Sequence, residues 1–571
     1  MTSDSPAAPR RRGGGHLPGT LLLAIPTLLL LGWLVLYPNL FIVGDSLFQD
    51  GGLTLEWYRR FFQSRARMEA LQGSVWISLG SVLFSGLVGI PLAFLFSRWD
   101  FPGRTVLGAL AAVPVLLPPL VGVISFLFLF GESGMFTRSV QLLLGLERPP
   151  WRLVGPWAIL VVHTYSMYVY FYLFVSAGLA RLDASAGEAA ASLGAGRVRI
   201  LFGVTLPMLA PSILAAAVLV FMTSMASFSA PYIFGGGYQV LTTRIFTSKV
   251  NGEIEMAMVE TVVLAAASLL FLWVLRRLER GREFAAVGKG TAAARRRVDS
   301  PAARRGAAVL GVVGVVFLLL PHLTLLLVSF VPDGTWTTQL FPPSYSLENY
   351  RALAADTQLW IPVMNSVQFA TLATGANLVI CFVAAWLIVR RRFPGRRLLS
   401  LLVILPFALP GTVVAMALST TFSAHQPWAG RWVLVGTFWI LPLAYFIRNL
   451  PLVAQPAIAS FRQFDPSLEE AAHSLGAGWR MTMRRIAAPL VLPGLAAGGS
   501  LAFVTALGEF VSSILLYTHR SRPISVEILA QLRAFDFGAA AALGVLLAAL
   551  MALVFAVGGR FIRGTEGAGR G

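Results

Sequence analysis

Long apolar runs, each of about 20 residues, alternate with short polar stretches along most of this chain. About twelve can be marked off, beginning near Leu21, Val75, Val106, Trp157, Ile213, Met258, Val309, Val367, Leu399, Val433, Leu495 and Ala539. Each is long enough for a helix to cross the hydrocarbon core of a bilayer. Gly and Pro lie inside the runs, and period-two alternation is missing. The pattern therefore predicts helices in lipid rather than strands of an outer-membrane barrel. The expected fold is an all-α integral membrane protein.

The pattern is written twice. Glu188-Ala-Ala-Ala-Ser-Leu-Gly-Ala-Gly196 returns as Glu470-Ala-Ala-His-Ser-Leu-Gly-Ala-Gly478, an offset of 282 that also carries Asp183 onto Asp465, Pro207 onto Pro489 and Pro211 onto Pro493. Upstream the offset is 292: Phe101-Pro-Gly-Arg104 returns as Phe393-Pro-Gly-Arg396, and Pro118 as Pro410. The second copy thus lacks ten residues between its third and fourth spans. That difference is assigned to the outer loop at 131–150, where length changes are tolerated. Two halves of six spans follow, residues 1–290 and 291–571, as a parallel repeat about an axis along the membrane normal. An Ala-, Gly- and Arg-rich linker, roughly 276–305, is expected to join them flexibly.

Composition agrees with lipid as part of the solvent. Hydrophobic residues make up 56 % and charged residues 12 % of the chain, and the mean hydropathy is +0.73. A net charge of +19 would point to nucleic acid in a soluble protein. Here the arginines cluster at predicted helix ends, where the positive-inside rule accounts for them without nucleic acid. Arg10, Arg11 and Arg12 precede the first span, and Arg390, Arg391, Arg392, Arg396 and Arg397 follow the eighth. Arg59, Arg60, Arg65 and Arg67 break the rule by falling on the outer side, in a stretch read as a short surface helix with Glu56 and Glu69 nearby. The start mimics a signal peptide but reads as a retained first span, because the apolar run is long and no small-residue cleavage site follows. Cys381, the one cysteine, allows no intrachain disulfide, and the histidines do not cluster at ligand spacing, so no protein-built metal site is expected.

The repeated loops carry the most information about function. Glu188, Ala189, Ala190 and Leu193, like Glu470, Ala471, Ala472 and Leu475, predict a short helix with a small-residue face. Asp183 and Asp465 stand where they can cap it. Gly194 with Gly196, and Gly476 with Gly478, then break it. A second helix runs to Pro207 or Pro489, where the chain re-enters the membrane. Span packing requires no such repeat. A compact projection with a close-packing surface suits docking into a groove on another protein.

This spacing of Glu-Ala-Ala, three residues, Gly and a closing Pro resembles the EAA loop of bacterial ABC importer permeases that work with a binding protein. The resemblance extends over nearly the whole chain and implies the type I permease fold. It implies that the loops near 181–208 and 463–490 dock in clefts on two copies of a cytosolic ATPase. By residue matching, the contact positions are Glu188, Ala189, Ala190 and Gly194, and Glu470, Ala471, Ala472 and Gly476; Ala191 is replaced by His473 in the second copy. ATP and Mg would sit on that partner. The two lysines, Lys249 and Lys289, form no P-loop, since Gly288-Lys289-Gly290 lacks the following hydroxyl. The chain itself is therefore expected to have no catalytic residue and no cofactor, and to be no enzyme. A substrate-binding protein would meet the outer face of a multi-pass inner-membrane protein with both termini in the cytoplasm.

Polar residues within spans are candidates for a passage, because a charge at mid-membrane costs about 2.5–3.5 kcal/mol on insertion scales. Glu509 is placed inside the eleventh span, with Thr505, Ser512 and Ser513 on its helical face. Ser227 and Thr223 lie at the matching first-half positions. Such a lining holds one negative charge and favours a cation. His163, Tyr168 and Tyr170 in the fourth span and Tyr445 in the tenth match family positions for substrate contact, although tyrosines also pack in cores. Glu260 is a buried acid without an assigned partner. The segments Pro231-Tyr-Ile-Phe-Gly-Gly-Gly237 and Leu507-Gly-Glu-Phe510 resemble fused permeases of the iron(III) subgroup. The aminoethylphosphonate, thiamine, polyamine and sulfate subgroups share much of this pattern. An ion-gradient-driven secondary transporter also has two six-span halves, but needs no paired docking loops.

Overall fold

The computed structural model describes residues 17–49, 52–183, 185–280, 296–297, 300–332, 340–426 and 429–568. The proposed boundary near residue 290 and most of the arginine-rich linker lie outside them, as do Arg10, Arg11 and Arg12. Among the described residues, ten helices are long and apolar enough to cross a membrane. The bent pair Arg396–Ala408 with Gly411–Thr421, turned through 111°, raises the number to eleven when it is counted as one span. Ile440–Gln463 has the length for a twelfth, but Arg448, Asn449 and Gln455 make it less apolar than those ten. The twelve apolar runs of the sequence are thus less uniform than their spacing predicts. The ninth is broken because Pro410 supplies no backbone N–H and its ring clashes with the preceding turn. Pro118 interrupts the third run at the equivalent place, ahead of Pro119–Phe130.

The repeat holds in three dimensions almost residue for residue. Arg65–Arg98 matches Thr357–Arg390, and Pro156–Arg181 matches Ile440–Gln463. The loop helices Ser185–Ser192 and Ser467–Ser474 keep the 282 offset. So do the fifth and eleventh spans, each of which enters through a π-turn, Leu201–Thr205 or Met483–Ala487. The ten extra residues of the first half include a short helix, Met135–Leu143.

The two halves exchange their first spans. The first span packs on the eighth span and on both parts of the bent pair, all of the second half. Trp33 meets Phe422 edge-on at 5.7 Å. Pro301–Val328 reciprocates by packing against the first half's third span. Tyr165 donates to Leu318 O at 3.0 Å, and Phe130 faces Phe317. Each half therefore completes its apolar packing only in the presence of the other. Close helix contacts use small residues in the usual way for lipid-embedded bundles: a Cβ on Gly498 would lie 2.9 Å from Leu452 O in the tenth span.

The outer arginines that broke the charge rule are all paired. Arg59 and Arg60 bind Glu56 at 3.2 and 3.0 Å, and Arg65 binds Glu69 at 2.7 Å. Glu56 lies on the expected surface helix, Glu56–Gln63, and the hydrogen bond from Arg60 lowers its carboxyl below the usual range. Arg67 reaches the fully buried Glu260 at 3.1 Å and also Glu253 at 3.1 Å, and Arg244 lies 3.7 Å from Glu260. Glu260 and Arg67 answer two puzzles of the sequence together: each neutralises the other.

Candidate functional site

The two loop helices are built alike from their caps outward. Ser185 N–H donates to Asp183 Oδ1 at 3.0 Å, and Ser467 N–H to Asp465 Oδ1 at 2.9 Å. Both aspartates therefore satisfy donors at a helix start. The bonds from Ser467 hold the Asp465 carboxyl below its ordinary range. At the other end Gly194 and Gly476 each have φ of +82°. Ala195 N–H returns to Ala190 O at 3.0 Å, and Ala477 N–H to Ala472 O at 2.9 Å. This closed turn needs a left-handed residue, which is cheap only for glycine. Gly196 and Gly478 have ordinary negative φ and simply start the next helices.

Glu188, Ala189 and Gly194 are exposed, as are Glu470, Ala471 and Gly476. Ala190 is half-buried and Ala472 buried, so these two pack toward their own loop. The surface has a member that the sequence reading left out of the contact set. Leu193 is 88 % exposed and its counterpart Leu475 is 89 % exposed. Covering such a side chain would be worth about 2 kcal/mol. The signal was present in the repeat itself, which keeps Leu at both positions. Exposed Arg181, Arg197 and Arg199, with Arg462, Arg480, Arg484 and Arg485 in the second copy, flank the helices.

In the membrane the candidate passage residues divide. Glu509 does not lie inside a continuous helix. One helix ends at Leu507 and another starts at Val511, so Glu509 sits in the break, and Thr505 is on a different helix from Ser512 and Ser513. Glu509 Oε1 accepts from Ser512 N–H at 2.9 Å, which caps the new helix, and from Arg448 Nη1 at 3.1 Å. The lone negative charge read from the sequence is thus matched by Arg448. Ser227 occupies the equivalent break between Met225 and Ser229. It bonds His163 Nε2 at 2.9 Å, while His163 Nδ1 meets Ser81 Oγ at 2.9 Å. At the position matching His163, Tyr445 bonds Ser513 Oγ at 2.6 Å. His163 and Tyr445 therefore brace the two breaks in corresponding ways.

Thr223 and Thr505 are half-buried, and their hydroxyls donate within their own helices, to Leu219 O and Leu501 O, each at 2.8 Å. Tyr168 is fully buried in the first half, donating to Ala111 O at 2.7 Å. Tyr170 packs beside Met167, Phe171 and Val220. Neither tyrosine is brought to the breaks. Their aromatic packing within the first half decides their placement, whatever their order in the chain.

Phe228 and Phe510, which follow Ser227 and Glu509, locate the breaks in the whole molecule. They are counterparts under the 282 offset, and their ring centroids are 5.8 Å apart. Two equivalent residues can touch only beside the axis that relates the halves. Tyr232 stacks on Phe228 at 5.0 Å and Phe246 meets it edge-on at 5.3 Å, completing an aromatic plug there. Lys249, noticed in the sequence only as one of two lysines, crosses between halves: its Nζ donates to Leu515 O at 2.6 Å and Ser419 Oγ at 2.9 Å. Arg533 of the second half stands over the Tyr232 ring at 5.3 Å.

Residues 81–283 and 376–566 each match the family model described as "Binding-protein-dependent transport system inner membrane component". The chain is 28 % identical to "Probable ABC transporter permease protein y4fN" of Sinorhizobium fredii, over 93 % of this chain and 94 % of that one. It is 26 % identical to "Ferric transport system permease protein FbpB" of Actinobacillus pleuropneumoniae, over 95 % of this chain and 78 % of that one. It is 30 % identical to "Sulfate transport system permease protein CysT" of Escherichia coli, over 40 % of this chain and 86 % of that one.

Proposed function

The chain belongs to the family of inner-membrane components of binding-protein-dependent transport systems, and from that premise we propose that it imports ferric iron between its two halves. It is an ABC importer permease and a multi-pass inner-membrane protein. We propose that two copies of a cytosolic ATPase grip the loop helices, that a binding protein delivers cargo to the opposite face, and that both termini are cytoplasmic. ATP and Mg belong to those partners, and no hydrolysis occurs on this chain. The observation that carries the ATPase reading is the pair of matched loops, each with a free Glu, Ala and Gly face and a bare leucine. Two equal knobs fit two copies of one engine.

The ferric reading is supported by similarity along the whole length, since ferric-named relatives align with 95 % and 87 % of this chain. The sulfate-named relative spans only a half's worth. A second reading, an oxyanion, draws on the charges near the axis: Glu509 is neutralised by Arg448, and the hydrogen-bond partners of Lys249 Nζ are uncharged. Uptake by vesicles carrying the chain with its ATPase and binding protein decides the matter. Radioactive ferric iron should accumulate on ATP addition with ion gradients collapsed. Radioactive sulfate accumulating instead would overturn the ferric reading, and uptake lost with the gradients would overturn the ATP-driven one. Glu188→Arg combined with Glu470→Arg should abolish uptake and ATPase retention while the chain still inserts; normal transport by that variant would remove the loops from the docking site.

A further inference from the structure

The two loop helices look alike but are tied to the bundle differently. Arg390 ends the eighth span, and its Nε lies 3.3 Å from Glu469 Oε1 in the first turn of the second loop helix. Its Nη2 donates to Phe464 O at 2.8 Å, and its guanidinium sits over the Phe464 ring at 4.1 Å. Both charged side chains are almost covered, at 11 % and 13 % exposed. One arginine thereby clasps the chain on either side of the Asp465 cap. In the first half the matching arginine is Arg98, again the last residue of its span. The positions matching Phe464 and Glu469 are Leu182 and Gly187. Neither offers a ring or a carboxylate; the Nε atoms of Arg98 and Arg390 are alike in having no hydrogen-bond partner among the described residues, so the halves differ in the ion pair, the Nη2 bond and the ring contact.

We propose that Arg390 and Glu469 form a strut that makes the second loop helix the stiffer of the two mechanical inputs. The proposal rests on the permease reading and specifies how force enters. Displacement of the second loop helix is passed directly to the eighth span. That span packs on the tenth and eleventh, with Asn377 donating to Phe446 O at 3.1 Å. The eleventh ends in the break that holds Glu509 and Phe510 beside the axis. Among the described residues the first loop helix has no such clasp. A pair this desolvated is held by geometry and is little screened by salt. Its gain is conformational definition more than stability. Arg390 and Glu469 are positioning residues: they act through the spans they join.

The test is the ratio of cargo imported to ATP hydrolysed in vesicles containing chain, ATPase and binding protein. Glu469→Gln and Arg390→Gln should each lower that ratio at least fivefold, while ATPase retention on the purified chain and the hydrolysis rate stay near wild type. The exchange Arg390→Glu with Glu469→Arg should recover part of the loss, a result that a misfolded variant would not give. Arg98→Gln should leave the ratio unchanged. An unchanged ratio in Glu469→Gln, equal damage from Arg98→Gln, or an exchange no better than the single variants would overturn the strut alone. A wild-type chain that retains no ATPase would sink the permease reading and the strut together.

Discussion

Glu509 shows what one residue can and cannot reveal in a sequence. An acid in an apolar run was visible, and so was its rarity. Its partner was not, because Arg448 lies sixty-one positions away on another helix, and nothing in the local pattern joins them. The same holds for Glu260 and Arg67, which are 193 positions apart. The first pair carries a prediction. Glu509→Ala leaves the half-buried Arg448 charge uncompensated, a change that costs up to about 3 kcal/mol, and also strips the cap from Ser512. The thermal unfolding midpoint of the detergent-solubilised chain should fall clearly. Glu509→Gln keeps an oxygen for Ser512 and should fall much less. A midpoint for Glu509→Ala equal to that of the unaltered chain would show that the ion pair and the cap contribute nothing to folding.

At the level of elements, the repeat made the loop helices legible, because the aspartate caps, Gly194 and Gly476 and the offset all point the same way. The breaks within spans were not legible. The apolar run continues through Leu507-Gly-Glu-Phe510, and a hydropathy reading has no reason to stop a helix there. The bend at Pro410 had a local signal, since proline disrupts the preceding turn, yet prolines at 91, 211, 362 and 493 stay within helices. Only neighbouring packing separates the two outcomes. The glycine caps can be tested directly. An L residue at a φ of +82° is strained by about 1–2 kcal/mol. Gly194→Ala and Gly476→Ala should therefore speed amide hydrogen exchange across 185–196 and 467–478, with exchange in the spans untouched. Unaltered loop exchange in both variants would mean that the turn does not depend on glycine.

For the whole molecule, the offsets announced two halves and a parallel repeat, but not that the first spans change places. In lipid an apolar face reads the same whether it meets a neighbour or a hydrocarbon tail, so sequence pattern could not say which half each first span embraces. The axis likewise appears only in three dimensions, through the contact of two counterparts, Phe228 and Phe510. If cargo travels between the halves, these rings stand in its way and must part in each cycle. The chain has one native cysteine, Cys381, and it is buried. Phe228→Cys combined with Phe510→Cys thus gives a clean thiol pair across the axis. A short bifunctional thiol reagent should join the pair and stop uptake, whereas the same reagent should leave each single variant transporting as before treatment. A joined pair that still imports cargo would place the passage elsewhere and leave the aromatic plug as packing between halves.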